Sequence, residues 1–330
     1  MGKKYKNLFN EIVNISNIRD AYYKVCKGKN KYSNGHLSFK ENLDFNLWRI
    51  QQELISGTYK IGEYYTFIIF EPKKRIISAL PFKDRVVQHA INNIIEPIFE
   101  KTFYSCSYGC RKNKGTHKGV KETQAKIRRL YEPNKKLYCL KMDFSKYFAS
   151  INTNILKKEI ENKIKDKKAL AVIYLFISKF GIKIGNLLSQ LFANIYGHIY
   201  DRFIKTKLKI KHYIRYVDDS IILSDDKGYL KLLQVKIKKF IGIFLKLKFS
   251  RWSISDVQEK SVNFLGYRIR KTSKLIRKSS LTNAKRKIKK YFRYNYETKL
   301  KSFLGSWNGH IQWADNKKLK LRLRNIQCIN

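Results

Sequence analysis

The chain has 330 residues and a formal net charge of +46 at pH 7, because 71 lysines and arginines outnumber 25 aspartates and glutamates. Such an excess repels itself unless a polyanion or an acidic partner neutralises it, so nucleic acid is the leading partner and a merely soluble, lysine-rich surface is the alternative. The length suffices for two or three lobes, and an apolar content of 43% is ordinary for a globular protein.

The cysteines and the apolar runs argue against several other classes of protein. Cysteine occurs five times, an odd and scattered set that does not indicate a disulfide framework, and Cys106 and Cys110 lack a second pair at zinc-site spacing. Residues 1–6 lack the apolar core of a signal peptide, and no apolar run reaches membrane-spanning length. The sequence therefore predicts a cytoplasmic protein with reduced thiols and no membrane association.

The first 60 residues are predicted to be helical. Apolar residues recur there at steps of three and four, which indicates one packing face of a helix: Phe39, Leu43, Leu47, Ile50 and Leu54. Residues 64–80 then read as two β-prone strands joined by a basic turn at Pro72–Arg75. Cations at the tip of a hairpin suit a triphosphate, while a solvated basic hairpin is the alternative.

Three aspartates stand beside β-prone runs. A predicted strand ends at Asp143, and residues 214–223 read as strand, turn and strand with Asp218 and Asp219 at the turn. Adjacent anions repel each other, so a solvated turn or a bound cation is needed to keep both. If this hairpin lies beside the strand that ends at Asp143, the three carboxylates converge, and such a group of carboxylates can hold Mg²⁺. Two such ions would activate a 3′-hydroxyl and stabilise the leaving pyrophosphate.

Loops and basic helices fill the rest of the chain. Gly181–Gln190 leads into a helix predicted from Leu191 to about Lys207, where glycines allow close backbone approach to a ligand and a plain loop-to-helix junction is the alternative. A basic amphipathic helix is predicted over Leu230–Phe249, a segment dense in lysines. His117 has no partner at ligand spacing, which favours a structural or RNA-side role.

The aspartates together resemble the palm of a reverse transcriptase. The family signature is Tyr-x-Asp-Asp with an upstream aspartate, matched here by Tyr216–Asp219 and Asp143. The resemblance implies that the backbone carbonyl of Phe144 also meets a metal. A solvated acidic turn is the alternative for the aspartate pair alone. The cofactor implied is a pair of Mg²⁺ ions, with Asp219 expected to be the weakest direct ligand.

The same resemblance implies roles for other residues. Lys248 stands near the place where polymerases keep a lysine that protonates pyrophosphate, with one more lysine of a lysine-dense segment as the alternative. Phe148 would lie under the sugar of the incoming nucleotide and exclude a 2′-hydroxyl, with an ordinary core residue as the alternative. The remaining nucleotide-binding candidates are Lys73, Arg75, Ile184, Gly185, Ser189 and Gln190. The implied primer grip is Phe264, Leu265, Gly266 and Tyr267, and the implied nucleic-acid-binding thumb residues are Lys285, Arg286, Lys287, Lys289 and Lys290.

One subgroup of reverse transcriptases resembles this chain more closely. Most bacterial reverse transcriptases carry Gln-Gly and Ser-Pro where this chain has Ile184–Gly185 and Ser189–Gln190, and these variants resemble the reverse transcriptases of diversity-generating retroelements. That resemblance implies error-prone cDNA, mutated at template adenines, made from a template-repeat RNA for homing into a variable region of a target gene. The implied partners are the RNA template, the DNA primer and cDNA, dNTPs and a small basic accessory variability protein that forms a ring.

Two other functions stay open. One is another bacterial reverse transcriptase, of the group II intron or defence type; against an intron enzyme, few residues follow the thumb. The other is a non-catalytic RNA-binding protein on a polymerase fold, which the intact aspartates disfavour. The predicted fold is α+β, a right-hand polymerase in which residues 1–60 form an N-terminal helical extension, 61–135 the fingers with part of 149–190, 136–268 the palm, and 269–330 a short helical thumb.

Overall fold

The computed structural model describes residues 3–27, 33–70 and 74–315. These residues divide between two compact units. The first unit takes its residues from 1–105, 144–208 and 238–250, and the second from 106–143, 209–237 and 251–330. Within the described part of the chain, no helix is both long enough and apolar enough to cross a membrane.

Helices and strands follow one another along the chain in groups. The helices are α1 (Leu8–Ile12), α2 (Ile15–Val25), α3 (Asn34–Glu41), α4 (Leu43–Ile55), α5 (Phe82–Glu100), α6 (Thr116–Leu130), α7 (Tyr147–Ser150), α8 (Thr153–Glu161), α9 (Lys167–Leu175), α10 (Leu187–Arg202), α11 (Lys227–Phe244), α12 (Lys278–Arg293) and α13 (Glu297–Ile311). The strands are β1 (Tyr65–Ile69), β2 (Arg75–Ala79), β3 (Tyr138–Phe144), β4 (Tyr213–Tyr216), β5 (Asp219–Ser224), β6 (Phe249–Asp256), β7 (Val262–Phe264), β8 (Tyr267–Ile269) and β9 (Lys274–Ile276).

Helix α5 is the centre of the first unit. Its apolar residues recur at helical spacing, and Val86, Val87, Ala90, Ile91 and Ile95 are all fully buried. Helices α1, α2, α3 and α10 pack against it. Each such valine or isoleucine side chain contributes about 1.5–3 kcal/mol when it leaves water, so this face accounts for much of the unit's cohesion.

The second unit contains most of a four-stranded sheet with the order β4-β5-β3-β6. Strand β5 is antiparallel to both β3 and β4, and its Ile221, Ile222 and Leu223 are buried. A strand buried on both faces reads as a continuous apolar run, which is the pattern of this segment. The sheet therefore holds the β4–β5 hairpin rigidly against β3.

A three-stranded sheet, β7-β8-β9, and the helices α12 and α13 complete the second unit. One apolar cluster joins these elements to α6 and to the four-stranded sheet; it includes Val120, Ile127, Leu137, Ile214, Phe264, Tyr267, Leu300 and Leu304. Phe264 and Tyr267 have no exposed surface. Burial of these side chains, rather than long strands, therefore stabilises the three-stranded sheet.

Two predicted helices have different bounds in the structure. Helix α11 ends at Phe244, and the predicted helical segment up to Phe249 instead leads into β6, because Lys246 adopts a left-handed backbone with φ of 52°. Helix α10 begins at Leu187, four residues before the predicted start, and ends in a π-helical turn, Phe203–Lys207. Hydrophobic spacing thus located the helices but did not identify β6.

Candidate active site

The structure brings two of the three predicted catalytic aspartates together on neighbouring strands. Asp143 near the end of β3 lies directly opposite Asp219 at the start of β5 in the antiparallel register. Asp218 occupies the two-residue turn between β4 and β5, next to Asp219 in the chain. Directly opposite residues of an antiparallel pair have Cα atoms about 4.5–5.5 Å apart, so their side chains share one face of the sheet.

A lysine beside these carboxylates was not anticipated from the sequence. Lys141 precedes Asp143 by two residues on β3, and its Nζ lies 3.0 Å from Oδ2 of Asp219. The same Nζ donates a hydrogen bond to the backbone oxygen of Asn263 at 2.7 Å. The alternation of a β-strand places residues i and i+2 on one face, and that was the sequence signal available for Lys141.

The protonation of Asp219 reflects this environment. Burial raises the pKa of Asp219, the Lys141 ammonium lowers it, and the charges of Asp143 and Asp218 raise it; together these effects bring the pKa to about 6. Oδ1 of Asp219 is buried and accepts no hydrogen bond from the described residues. A buried oxygen that is not hydrogen-bonded is costly, so this atom is suited to accept a cation or a proton.

These carboxylates fit the chemistry of a divalent metal site. Mg²⁺ takes oxygen ligands, and Asp143, Asp218 and Asp219 supply carboxylate oxygens, one of which is buried and unpartnered. Among the residues that the structure describes, no three Asp, Glu, His or Cys side chains already stand at metal-binding spacing. One oxygen of Asp219 is paired with the Lys141 ammonium.

The two aromatic candidates after Asp143 lie in the first unit. Phe144 is buried, and its ring stacks on Tyr147 and on Phe249 at centroid distances of 5.3 and 5.2 Å. Phe148 in α7 is half-buried, and its backbone oxygen accepts a hydrogen bond from Ile182 N at 2.9 Å. Their roles toward a metal ion and a sugar stay predictions.

The first unit also gathers the predicted nucleotide-binding loop against the β1–β2 hairpin. Ser78 N donates to the carbonyl oxygen of Ile184 at 2.8 Å. A Cβ on Gly185, whose φ is 114°, would lie 2.7 Å from Ile77 Cγ2 and 3.0 Å from Ser78 O, so the close approach requires glycine. The loop therefore packs directly against strand β2 of this hairpin.

The remaining nucleotide-binding candidates differ in their exposure. Ser189 is buried in α10, whereas Gln190 next to it is exposed. Arg75 is exposed at the first position of β2, and Lys73 lies outside the described residues. Lys248 has an exposed side chain, and its carbonyl oxygen accepts a hydrogen bond from Ser145 N at 2.8 Å. The structure thus leaves Gln190 and Arg75 able to reach a ligand.

The predicted primer grip is a tight hairpin in the second unit. Leu265 and Gly266 form the two-residue turn between β7 and β8 with φ of 53° and 86°, as the primed hairpin turns require. The Tyr267 hydroxyl donates to the carbonyl oxygen of His310 at 2.8 Å and lies 3.3 Å from Nδ1 of His117. The His117 ring stacks on Trp313, so its contacts are structural ones within this unit.

The basic thumb residues of α12 fall into two groups. Lys285, Arg286, Lys289 and Lys290 are exposed. Lys287 is half-buried, and its Nζ lies 5.3 Å from the centre of the Phe303 ring. A cation over a ring face gains electrostatic attraction, so Lys287 contributes to packing between α12 and α13, while the other four present their charge to solvent.

Comparison with known proteins identifies the family. The family model described as reverse transcriptase (RNA-dependent DNA polymerase) matches residues 71–269, which is more than half of the chain. The match includes Asp143, Asp218, Asp219 and the β7–β8 turn. The chain therefore belongs to the reverse transcriptase family.

Curated relatives match shorter stretches. Protein YkfC of Escherichia coli (strain K12) is 25% identical over 140 residues, covering 41% of this chain and 36% of its own length. The group II intron-encoded protein LtrA of Lactococcus lactis subsp. cremoris is 29% identical over 169 residues, covering 48% of this chain and 27% of its own length. The chain thus spans about a third or less of these relatives.

Solved structures share the fold. Apo telomerase from Candida tropicalis superposes with a TM-score of 0.51 at 12% identity, covering 66% of this chain and 49% of that chain. At this identity the likeness concerns the fold alone. Together with the mixed helices and sheets described above, it confirms the predicted right-hand polymerase fold class.

Proposed function

We propose that this chain is an RNA-directed DNA polymerase whose active site is formed by Asp143, Asp218 and Asp219. The observation that supports this most is the direct pairing of Asp143 with Asp219 across β3 and β5, next to Asp218 in the turn, inside the segment that matches the family model. A non-catalytic RNA-binding protein would have no need to keep a half-buried group of like charges.

The chain's own residues have separate roles in this proposal. The three carboxylates would hold two Mg²⁺ ions, which when bound activate a 3′-hydroxyl and neutralise the leaving pyrophosphate. Lys141 neutralises part of the carboxylate charge at Asp219. The ring of Phe148 would exclude ribonucleotides, and the exposed cations of α12 would bind the phosphate backbone.

The test of this function is Asp218→Asn. The substitution keeps the shape of the side chain and removes one anionic ligand, so we expect Mg²⁺-dependent primer extension on RNA to be abolished. RNA affinity should stay within about twofold of wild type, because the large cation excess supplies binding. A mutant that extends primers at near the wild-type rate contradicts the assignment.

We further propose that the enzyme serves a diversity-generating retroelement. Ile184–Gly185 and Ser189–Gln190 support this, because Ile184 and Gly185 contact the β1–β2 hairpin, where the proposed function places the incoming nucleotide, and Ser189 and Gln190 follow in the first turn of α10. The RNA template, dNTPs and a basic, ring-forming accessory protein would then be its partners in the cytoplasm. A group II intron-type reverse transcriptase is the second candidate, favoured by the identity with LtrA.

Sequencing of cDNA made on a defined RNA separates these candidates. A retroelement enzyme should misincorporate chiefly opposite template adenine, and an Ile184→Gln, Gln190→Pro double mutant should make fewer such errors. A change of about 1.4 kcal/mol between competing transition states alters fidelity tenfold, so small packing changes suffice. Errors spread evenly over all four template bases in the wild type would refute the retroelement role and leave the polymerase intact.

A further inference from the structure

The turn that carries Asp218 has an unusual backbone. Val217, the first residue of the two-residue β4–β5 turn, has a φ of 54°. The primed hairpin turns require a left-handed backbone at this position and favour glycine there, whereas a β-branched residue is an outlier. The backbone of Val217 determines where Asp218 points, so whatever holds Val217 in this conformation also positions Asp218.

A fully buried arginine contacts the strained residue. Arg215 has no exposed surface, and its Nη1 donates to the carbonyl oxygen of Val217 at 3.0 Å. Its Nη2 donates to Oγ of Ser107, also fully buried, at 3.0 Å. Burying a guanidinium is costly unless its donors are bonded, and here two of them are bonded to the turn and to a neighbouring segment.

That neighbouring segment runs alongside β4. Arg215 N donates to Cys106 O, and Tyr108 N donates to Arg215 O, both at 2.9 Å. The segment then passes so close to the turn that a Cβ on Gly109 would lie 2.4 Å from Val217 Cγ2 and 2.9 Å from Val217 N. Only glycine allows this approach without displacing the turn.

We propose that Ser107, Gly109 and Arg215, here called the turn support, are positioning residues that hold Val217 in its left-handed conformation and thereby aim Asp218. Arg215 fixes the carbonyl side of Val217, and the backbone at Gly109 closes off the space into which the turn would relax. The effect of the turn support on catalysis rests on the proposed polymerase function. Its effect on the conformation of the turn, here called its mechanical role, does not depend on that function.

Hydrogen–deuterium exchange of the full chain tests the mechanical role directly. Ser107→Ala, Gly109→Ala and Arg215→Met should each raise amide exchange in peptides covering residues 213–220 by about tenfold or more, with peptides of α5 unchanged. Gly242→Ala is the matched control, because a Cβ there meets nothing within 4 Å. If Arg215→Met does not fold, Ser107→Ala alone decides, since it removes a single acceptor. Unchanged exchange at 213–220 overturns the proposal.

A double-mutant cycle distinguishes positioning from general stabilisation. Gly109→Ala should lower kcat for primer extension about tenfold while the KM for dNTP stays unchanged. Replacing Val217 with glycine as well removes Cγ2, the nearest contact of the new Cβ, and lets the backbone N of residue 217 shift without β-branched strain, so Gly109→Ala should cost less in the Val217→Gly background. Equal losses in both backgrounds contradict the turn support.

The two proposals fail in different ways. A wild-type chain that shows no primer extension, while the variants still exchange faster at 213–220, refutes the polymerase and supports the mechanical role. An active wild type whose turn exchanges at the same rate in all variants refutes the turn support and leaves the polymerase in place.

Discussion

Lys141 is the residue whose charge most directly affects the carboxylate group. Its ammonium lies 3.0 Å from Oδ2 of Asp219 and lowers the pKa of that carboxyl, which burial raises, so that the pKa with Lys141 present is about 6. An opposite charge favours the ionised carboxylate, so removing it raises the pKa of Asp219 further. The ionised, metal-binding form then predominates only at higher pH.

We therefore expect Lys141→Met to lose primer-extension activity at pH 7 and to regain much of it by about pH 8.5. The rate–pH profile of the variant should be displaced to higher pH relative to wild type, which is the direction given by a raised carboxyl pKa. Lys136→Met, which removes an exposed cation just before β3, is the control and should leave the profile in place. A profile displaced to lower pH would show that Lys141 does not act through Asp219.

At the scale of elements, the loop Gly181–Gln190 depends on its contact with β2. Gly185→Ala should break the Ser78–Ile184 hydrogen bond, because the new Cβ would lie 2.7 Å from Ile77 Cγ2. We expect a loss of about 1–3 kcal/mol in the free energy of unfolding and a raised KM for dNTP. Thermal unfolding and primer extension measure the two effects.

A variant at a second glycine distinguishes the effect of backbone strain from the effect of displacing the loop. Gly57 has a φ of 73°, yet a Cβ there would meet nothing within 4 Å. Gly57→Ala should therefore destabilise the chain by a comparable strain while the KM for dNTP stays at the wild-type value. If both variants raise the KM equally, the contact between the loop and β2 does not shape the nucleotide site.

Local sequence patterns predicted the helices and strands whose formation depends on residues close together in the chain. The paired strands within residues 64–80 and the strand–turn–strand around Asp218 follow from β-propensity, and both are present. The apolar face from Phe39 to Leu54 was predicted as one helix, whereas the structure divides it at Asn42 between α3 and α4. The predicted helix was continued from Phe244 to Phe249 because no proline or glycine ends it there, and no strand was predicted over residues 249–256, where β6 lies.

Contacts between distant segments could not be predicted in this way. Ser107 and Arg215 are 108 positions apart, and nothing in either local pattern indicates that they bond. The same holds for Lys141 and Asn263, although the position of Lys141 on the same strand face as Asp143 was visible in the sequence. The catalytic aspartates could be identified because a family motif marks them, whereas neither Lys141 nor Arg215 was singled out from the sequence.

At the scale of the whole molecule, the net charge of +46 raises the question of whether RNA binding is diffuse or localised. Each cation that binds a phosphate releases counterions, so the slope of log affinity against log salt decreases in magnitude by about 0.7–0.9 for every phosphate-binding cation that is removed. The four exposed cations of α12 are the proposed localised phosphate-binding residues: Lys285, Arg286, Lys289 and Lys290. A measurement of the salt slope therefore counts how many of them bind phosphate.

Replacing these four residues with glutamine should reduce the magnitude of the salt slope for a primer–template by about 2–4 and weaken binding at low salt. The matched control removes the same charge from α11, at the exposed Lys231, Lys236, Lys238 and Lys239. Binding titrations at several salt concentrations should show a much smaller change for that control, because those lysines are not in the proposed thumb. Equal changes for both variants would mean that the whole surface attracts RNA and that α12 has no special role. Lys287→Gln should instead lower the thermal stability of the chain with little effect on the slope, because Lys287 packs over Phe303.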